Sequence, residues 1–307
     1  MSRLERLPSN LRVLERGWLS SNSILLIGPD DTALIDSGYC THATQTVALV
    51  RAALGRRRLD LLVNTHLHSD HCGGNAALQA AFPAMATRVP SGGAAAVAAW
   101  DHDALTYRAT GQTCPRFGFQ GIIAAGAEVQ LGGLTWEAHG APGHDPDALI
   151  LFEPASRTLI SADSLWEFGF GVVFPELIGE PSFDQVAQTF DLVERLAPQV
   201  VIPGHGAVFD NVKAALRIAR DRLDRQVADP ARHARHALKV LIKFKLMEAR
   251  DLPLDSLNHW VDTTPYFDWI RTRFFPEETI QGIRNELIAE LVSAGAIESV
   301  GDRLIDS

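Results

Sequence analysis

The sequence predicts a mixed α/β fold with a smaller, mainly helical module at its C-terminal end. Over residues 1–228, short apolar stretches that resemble strands alternate with helical segments. After Asp229-Pro230 the pattern changes to a series of helix candidates followed by one hairpin. We therefore expect one large domain over residues 1–228 and a second domain over residues 229–307.

The elements of the large domain can be assigned from their periodicity and from the turns between them. In order, they are two strands in residues 22–36 around the turn Gly28-Pro29-Asp30-Asp31, a helix that ends near residue 54, a strand at residues 61–64, and helices at residues 75–81 and 94–99. Residues 101–121 are rich in Gly, Thr and aromatic side chains. We expect this segment to form a loop over a pocket.

A dense cluster of polar residues follows the strand at residues 61–64. His66, His68, Asp70 and His71 place three imidazoles and a carboxylate within six residues. Alternate residues of an extended segment face the same side, so His66 and His68 point together, whereas Asp70 and His71 lie where the chain turns. One stretch can therefore begin two metal sites. A histidine-rich surface loop is the alternative interpretation.

Three further residues with metal-ligand chemistry follow apolar, strand-like stretches. They are His144, Asp163 and His205. A single His or Asp at a strand end is more often a structural hydrogen-bonding residue, but three of them together with the histidine run indicate one cage. Imidazole and carboxylate suit zinc, iron or manganese, and the chain has no cluster of cysteines. The pattern favours a catalytic metal site over a structural one.

The ordered set resembles the metallo-beta-lactamase superfamily, whose landmarks occur in the right order over residues 20–210. The resemblance implies an αββα sandwich, with two mixed sheets back to back, helices outside and ligands on loops along one edge. It implies that the first metal is held by His66, His68 and His144, the second by Asp70, His71 and His205, and that Asp163 bridges the two metals.

Asp36 matches the early Asp of this family, which lies beside the ligands without binding metal and can orient a ligand imidazole. The sequence departs from the family pattern at two places, and these departures bear on which branch of the superfamily it resembles. Zinc beta-lactamases often have a Cys ligand where this chain has Asp163, so the chain resembles the glyoxalase II-like, lactonase-like and endoribonuclease-like branches. After His144, the family's Thr-Pro-Gly-Ser is replaced by residues 145–148, Asp-Pro-Asp-Ala, so the shape of that loop does not carry over.

The resemblance implies a binuclear metal-dependent hydrolase. The expected metals are two zinc ions, with iron or manganese as alternatives. They would share a water whose pKa falls to about 7, and the resulting hydroxide would attack an acyl carbonyl or a phosphorus. Asp70 would be catalytic by passing a proton to the departing atom. The expected substrate is a small-molecule thioester, ester or lactone. A nuclease and an iron-bearing redox enzyme of the same fold are the alternatives.

The aromatic stretch after Asp163 is a candidate substrate pocket. Trp166, Phe168 and Phe170 alternate with glycines there and can form an apolar wall. Core packing or a dimer contact is the alternative interpretation of the same residues.

Charge and composition bear on partners and location. The formal net charge is −9, from 37 acidic and 28 basic residues, and an acidic surface repels phosphate backbones. The compact basic cluster at residues 56–58 is interpreted as a solvated loop. Three scattered cysteines and an N-terminal start of mixed charge, residues 1–8, predict a cytoplasmic protein without a membrane segment.

The C-terminal module resembles a winged helix. Residues 231–250, 254–261 and 277–293 are helix candidates, and residues 296–305 resemble a hairpin. The third helix carries four glutamates against Arg284 alone, which argues against DNA binding. We expect the module to pack on the catalytic domain, cap the pocket or form a homodimer.

Overall fold

The computed structural model describes residues 6–307 and contains two β-sheets that lie face to face; residues 1–5, part of the N-terminal start discussed above, lie outside the described residues. The first sheet runs in chain order through β1 (Leu11–Leu14), β2 (Ser23–Ile27), β3 (Thr32–Ile35), β4 (Leu61–Val63), β5 (Ala86–Pro90) and β6 (Gly121–Ile123). The second contains β7 (Glu128–Leu131), β8 (Leu134–Gly140), β9 (Leu149–Glu153), β10 (Thr158–Ala162) and β11 (Val200–Pro203).

The helices alternate with these strands and continue beyond them. They are α1 (Ala43–Leu54), α2 (Ser69–Cys72), α3 (Asn75–Ala81), α4 (Ala94–Ala99), α5 (Tyr107–Thr110), α6 (Phe174–Leu177), α7 (Phe183–Leu196), α8 (Val212–Ala228), α9 (Pro230–Ala249), α10 (Leu254–Thr263), α11 (Pro265–Phe274) and α12 (Ile280–Ser293). No helix within residues 6–307 is both long enough and apolar enough to cross a membrane.

Alternating side chains explain why the two sheets form the centre of a four-layer sandwich. On β2, Ile24 and Leu26 face the second sheet and share a core with Trp136 and Ile160, whereas Leu25 faces the other way, toward α1 and α3. The outer face of the second sheet is covered in the same way by α7 and α8. The layers are therefore helices, sheet, sheet and helices, and the predicted αββα sandwich is confirmed.

The directions of the strands place several loops at one edge of the sandwich. β3 and β4 are parallel neighbours in the first sheet, and β10 and β11 are parallel neighbours in the second. The carboxyl ends of parallel neighbours lie at the same edge of a sheet. The segments that follow these strands are therefore brought together.

The C-terminal region has its own sheet and supplies most of one apolar core, to which Ala109, Val172 and Leu177 also belong. Pro230 opens α9, and the Asp229 side chain accepts a hydrogen bond from the backbone N–H of Arg232, so the helix is capped where the pattern change was predicted. α9 to α12 surround an apolar cluster, with the antiparallel strands β12 (Asp251–Pro253), β14 (Arg303–Asp306) and β13 (Ile297–Val300) at one side. The helical character of this region is confirmed, and its assignment as a winged helix stays a prediction.

Candidate metal centre

The predicted ligands all lie in loops or first turns that follow strands. His66 comes three residues after β4, and His68 is the N-cap of α2, which carries Asp70 and His71 in its single turn. The other three ligands belong to the second sheet: His144 follows β8, Asp163 follows β10, and His205 follows β11. Residues from both sheets therefore meet at one edge of the sandwich.

His66, His68 and His144 form one group of ring nitrogens. The Nδ1 atom of His68 lies 3.1 Å from Nε2 of His66 and 2.9 Å from Nε2 of His144. Three imidazole nitrogens that converge in this way can bind a divalent transition metal and leave a coordination position open for water or substrate.

Asp70, His71 and His205 form a second group, which also includes Asp163. The Nε2 atom of His205 lies 3.1 Å from Oδ2 of Asp70. Mixed imidazole and carboxylate donors of this kind accept zinc, iron or manganese.

Asp163 lies between the two groups. Its Oδ1 atom is 3.3 Å from Nε2 of His71 and 3.7 Å from Nε2 of His205, while its Oδ2 atom is 3.4 Å from Nε2 of His144. One carboxylate thus presents a different oxygen to each group, as the predicted bridging role requires.

Hydrogen bonds on the far side of the rings fix their orientation. Nδ1 of His71 lies 2.7 Å from Oδ2 of Asp36, and Nδ1 of His144 lies 2.7 Å from the carbonyl oxygen of Val172. Each contact holds the proton on Nδ1, so that Nε2 presents its lone pair to the centre. Nε2 of His71 is buried and has no hydrogen-bond partner, as expected for an atom that binds a metal.

Asp36 is itself held firmly. Its two oxygens also accept hydrogen bonds from the backbone N–H and the hydroxyl of Thr65, at 2.9 and 2.7 Å. The residue is buried and adopts a left-handed backbone conformation with φ of 57°, a strained geometry that is common at functional sites.

Burial and neighbouring charges shift the pKa values of these residues in opposite directions. Burial and the imidazoles of His71 and His68 hold the pKa of His66 well below its usual value, and burial lowers that of His144 to about 4. At His71 burial alone would lower the pKa, but the carboxylates of Asp163 and Asp36 outweigh it and raise the pKa well above 6.5. The site therefore combines neutral imidazoles, at His66 and His144, with a pair of carboxylates around His71 that stabilises positive charge.

The loop that departs from the family pattern also contributes to the site. Oδ2 of Asp145 lies 3.8 Å from Nε2 of His68, the ring nitrogen that faces away from the other imidazoles. Burial raises the pKa of Asp145. At this distance the carboxyl group faces His68 without a hydrogen bond to it, whereas Asp36 contacts His71 at 2.7 Å.

A cavity of about 550 Å³ opens from the centre toward the C-terminal module. Its wall includes ligands of both groups, the loop residues Thr106 and Thr110, and side chains of α9 and α12 such as Phe244 and Leu291. Residues 101–121 thus contribute to the cavity wall, and so does the C-terminal module, which agrees with capping, one of the three uses expected for the module.

The aromatic stretch contributes to the cavity only in part. Trp166 and Phe170 line it, and Phe170 also belongs to the core beneath α7 and α8, so both interpretations of this stretch apply to it. Phe168 does not line the cavity and is 75% exposed, because a tight turn between Trp166 and Gly169 directs it outward.

One aromatic wall residue was missed by the sequence analysis. Trp18 lines the cavity and stacks on His205, with ring centroids 5.5 Å apart and planes 8° from parallel. It also contacts Trp166, at 5.2 Å between centroids. No local pattern around Trp18 points to the metal centre, since the contact depends on how the chain folds.

Comparisons with known proteins agree with this geometry. A family model described as the metallo-beta-lactamase superfamily matches residues 16–205. An atrochrysone carboxyl ACP thioesterase from Aspergillus fumigatus is 24% identical over 206 residues, covering 67% of this chain and 57% of that protein. A hydroxyacylglutathione hydrolase from Anaeromyxobacter dehalogenans is 31% identical over 199 residues, covering 64% of this chain and 66% of that protein. The chain thus spans less than two thirds of the length of these two relatives.

A solved structure resembles the whole chain. A metallo-beta-lactamase family protein from Thermus thermophilus has a TM-score of 0.58 at 16% sequence identity, and the match covers 98% of this chain and 99% of that one. At this identity the likeness concerns the fold, and it includes the C-terminal module.

Proposed function

Because the chain belongs to the metallo-beta-lactamase superfamily, we propose that it is a binuclear metal-dependent hydrolase of a small-molecule thioester, ester or lactone. His66, His68 and His144 would hold one metal, Asp70, His71 and His205 the other, and Asp163 would bridge them. Zinc is the proposed metal in both positions. The odd number of scattered cysteines supports a reducing, cytoplasmic setting.

The position of Asp163 is the observation that carries this proposal. Its two oxygens face different groups of donors, at 3.3 Å from His71 and 3.4 Å from His144. A metal pair bound there would supply Lewis acidity and a hydroxide nucleophile at neutral pH. The superfamily membership and the relatives named as thioesterase and hydrolase support thioester hydrolysis within this class.

The chain's own residues would position the substrate and move a proton. Asp70 lines the cavity with its carboxylate 3.1 Å from His205, so we assign it the transfer of a proton to the leaving atom. Trp18 and Trp166 would contact the acyl group from one side. Apolar side chains of α9 and α12 close the other side and limit the access of water.

Metal analysis combined with a substrate panel tests the proposal. We expect about two metal ions per chain, as a binuclear site requires, and hydrolysis of a thioester, an ester or a lactone that stops when a chelator removes the metal. The panel includes a phosphodiester and an RNA oligonucleotide. Hydrolysis of RNA alone would overturn the proposal and support the nuclease alternative.

A further inference from the structure

A second cavity, of about 520 Å³, adjoins the first and is rich in cationic side chains. Its wall lies between α8 and the first half of α9. The basic residues that line it are Arg222, Arg225, Arg232, Arg235 and Lys239.

Three of these cations have no carboxylate partner among the described residues. Arg235 and Lys239 form ion pairs with Glu290, and Arg235 also pairs with Glu286. Within residues 6–307, no carboxylate oxygen lies within 4.0 Å of the guanidinium groups of Arg222, Arg225 or Arg232. The acidic protein thus concentrates unneutralised positive charge at one place.

Arg222 is the most enclosed of the three. It lies on the face of α8 that carries the buried residues Ala219 and Leu223, where an apolar side chain would be expected. Its guanidinium lies over the ring of Phe170, at 5.2 Å from the centroid, and one N–H group donates to Nε2 of His236 at 3.0 Å. Burial and the neighbouring Arg225 lower the pKa of Arg222, as expected for a cation without a counterion.

Two buried polar atoms in the wall lack partners as well. Gln226 is 8% exposed and its Oε1 atom has no hydrogen bond, and His233 is 2% exposed with an unpartnered Nδ1 atom. Both residues line the basic cavity. Both atoms are acceptors, because Nε2 of His233 donates to the carbonyl oxygen of Val173 at 3.3 Å, so an N–H or hydroxyl group of a ligand, and not the phosphate itself, would satisfy them.

The basic cavity is continuous with the cavity at the metal centre. Four residues line both, namely Arg222, His236, Lys239 and Glu290. Residues 169–171 separate the two sites. Gly169 lies beside Arg222, because a Cβ atom on this glycine would be 2.6 Å from the NH1 atom of Arg222. Gly171 packs on the ring of His144. One ligand can therefore reach both places.

We infer that the basic cavity binds a phosphate group on the thiol half of a thioester substrate whose scissile bond lies at the metal centre. The inference rests on the proposed function and names its substrate class. Water adds across the C–S bond, giving a carboxylic acid and a free thiol, so the phosphate leaves with the thiol product. Guanidinium groups bind phosphate oxygens through paired, charge-assisted hydrogen bonds.

The distribution of charge favours a compact phosphorylated group over the other anions. Three unneutralised guanidinium groups exceed the charge of one carboxylate, whereas a phosphate monoester carries nearly two negative charges. Nucleic-acid sites instead track the backbone with an extended basic groove. Here the positive charge is gathered in one cavity of a chain with net charge −9.

Binding of two thiols that differ only in the phosphate tests this inference directly. Calorimetry on the metal-loaded protein compares 4′-phosphopantetheine with pantetheine, and the contact of the thiol with the metal cancels in the ratio of the two Kd values. We expect the phosphorylated thiol to bind about tenfold to hundredfold more tightly, the range given by hydrogen bonds between charged groups. Kd values within twofold of each other would overturn the inference.

Variants assign this preference to the cavity. Arg222→Gln and the exposed Arg225→Gln should each reduce the ratio of Kd values severalfold. Arg217→Gln is the matched control, because Arg217 lies on the same helix and pairs with Asp221 on its exposed face. An unchanged ratio in the folded Arg225→Gln and Arg222→Gln proteins would place the phosphate elsewhere.

Kinetics separate this inference from the proposed function. S-acetyl-4′-phosphopantetheine should have a KM at least tenfold below that of S-acetylpantetheine at similar kcat. Equal KM values for both, or a preference for S-lactoylglutathione, would overturn the phosphate site and leave the hydrolase proposal standing. Failure to cleave any thioester, ester or lactone, with a preserved Kd ratio, would overturn the hydrolase proposal and the thioester as substrate, and would leave only the phosphate site standing. Cleavage of RNA that depends on Arg222 would contradict both.

Discussion

Asp36 shows how a residue outside the ligand set can control it. It accepts from Nδ1 of His71 and from Thr65, and so fixes the ring whose Nε2 atom faces Asp163. In Asp36→Asn, the side chain loses its negative charge and can turn its NH₂ group toward the Nδ1–H group of His71. The His71 ring would then lose its orientation. We expect metal affinity to fall by about 10- to 100-fold, measured by competition with a chelator. Asp30→Asn, on the exposed turn before β3, is the control, and equal affinities in both variants would contradict this role.

Trp18 makes a second prediction at the residue scale. It is 58% exposed although it stacks on His205, so one face of the indole is free to contact substrate at the cavity wall. In Trp18→Ala we expect KM to rise about tenfold with a smaller change in kcat, because binding rather than chemistry is affected. Trp269→Ala, which removes another exposed indole far along the chain on α11, should leave KM unchanged. A change in kcat alone would contradict the prediction.

The residues that the sequence identified share one property. His66, His68, Asp70 and His71 are adjacent in the chain, and the remaining ligands follow apolar strands, so their spacing is visible without a structure. Trp18 and Arg222 reach the cavities only through tertiary contacts, and no local pattern marks them. Phe168 is the opposite case, a residue that the sequence placed in the pocket wall but that the structure does not, because a tight turn directs its side chain outward.

At the scale of elements, the loop between β10 and α6 passes between the metal centre and the basic cavity. A Cβ atom on Gly171 would lie 2.6 Å from Cε1 of His144, closer than real contacts allow. Gly171→Ala should displace the His144 ring and lower metal content and activity, which metal analysis and thioester hydrolysis will measure. Gly118→Ala is the control because a Cβ there meets no atom within 4 Å. Full metal content in Gly171→Ala would show that the loop can adjust.

Some elements were predictable and others were not, for reasons of length and periodicity. The helices predicted at residues 75–81 and 94–99 have those bounds in α3 and α4, because glycines precede each and apolar residues recur within it. α11 and β12 were missed. α11 begins at Pro265, directly after the end of α10, and its buried residues Tyr266, Phe267 and Ile270 span little more than one turn. Only the surrounding core stabilises it as a separate helix.

At the scale of the whole molecule, the buried His233 and the half-buried His236 connect α9 to the larger part of the chain. His233 contacts the carbonyl oxygen of Val173 at 3.3 Å, and His236 contacts Arg222 at 3.0 Å. Burial, with Arg222 nearby, lowers the pKa of each to about 4. Between pH 6.5 and about 4 the unfolded chain therefore binds protons that the folded chain does not, and stability falls as the pH falls.

Urea unfolding at pH 7 and pH 5 measures this effect. Each histidine contributes up to about 1.4 kcal/mol per pH unit to the loss of unfolding free energy. The double variant His233→Gln, His236→Gln should lose less unfolding free energy between pH 7 and pH 5 than the unchanged protein. The metal-site histidines are the same in both proteins, so their contribution cancels in the comparison. An equal loss in both proteins would contradict the assignment to α9.

We propose that residues 1–228 and 229–307 form the two domains, as the pattern change at Asp229-Pro230 predicted. The capped start of α9 supports that boundary, and so does the apolar cluster of α9 to α12, which Ala109, Val172 and Leu177 of the larger part of the chain join at its edge. The fold class followed from strand and helix periodicity together with the resemblance. The way in which the second domain closes the cavity did not, since it depends on contacts such as the hydrogen bond from Tyr39 to Glu248.

The predicted metal ligands end at His205, whereas much of the opposite cavity wall comes from α9 and α12, after residue 229. The predicted ligands and this part of the cavity wall are thus encoded in different stretches of the gene. A recombination event near codon 229 would exchange that part of the wall in one step, while the predicted ligands, Trp18 and Arg222 passed unchanged to the descendant.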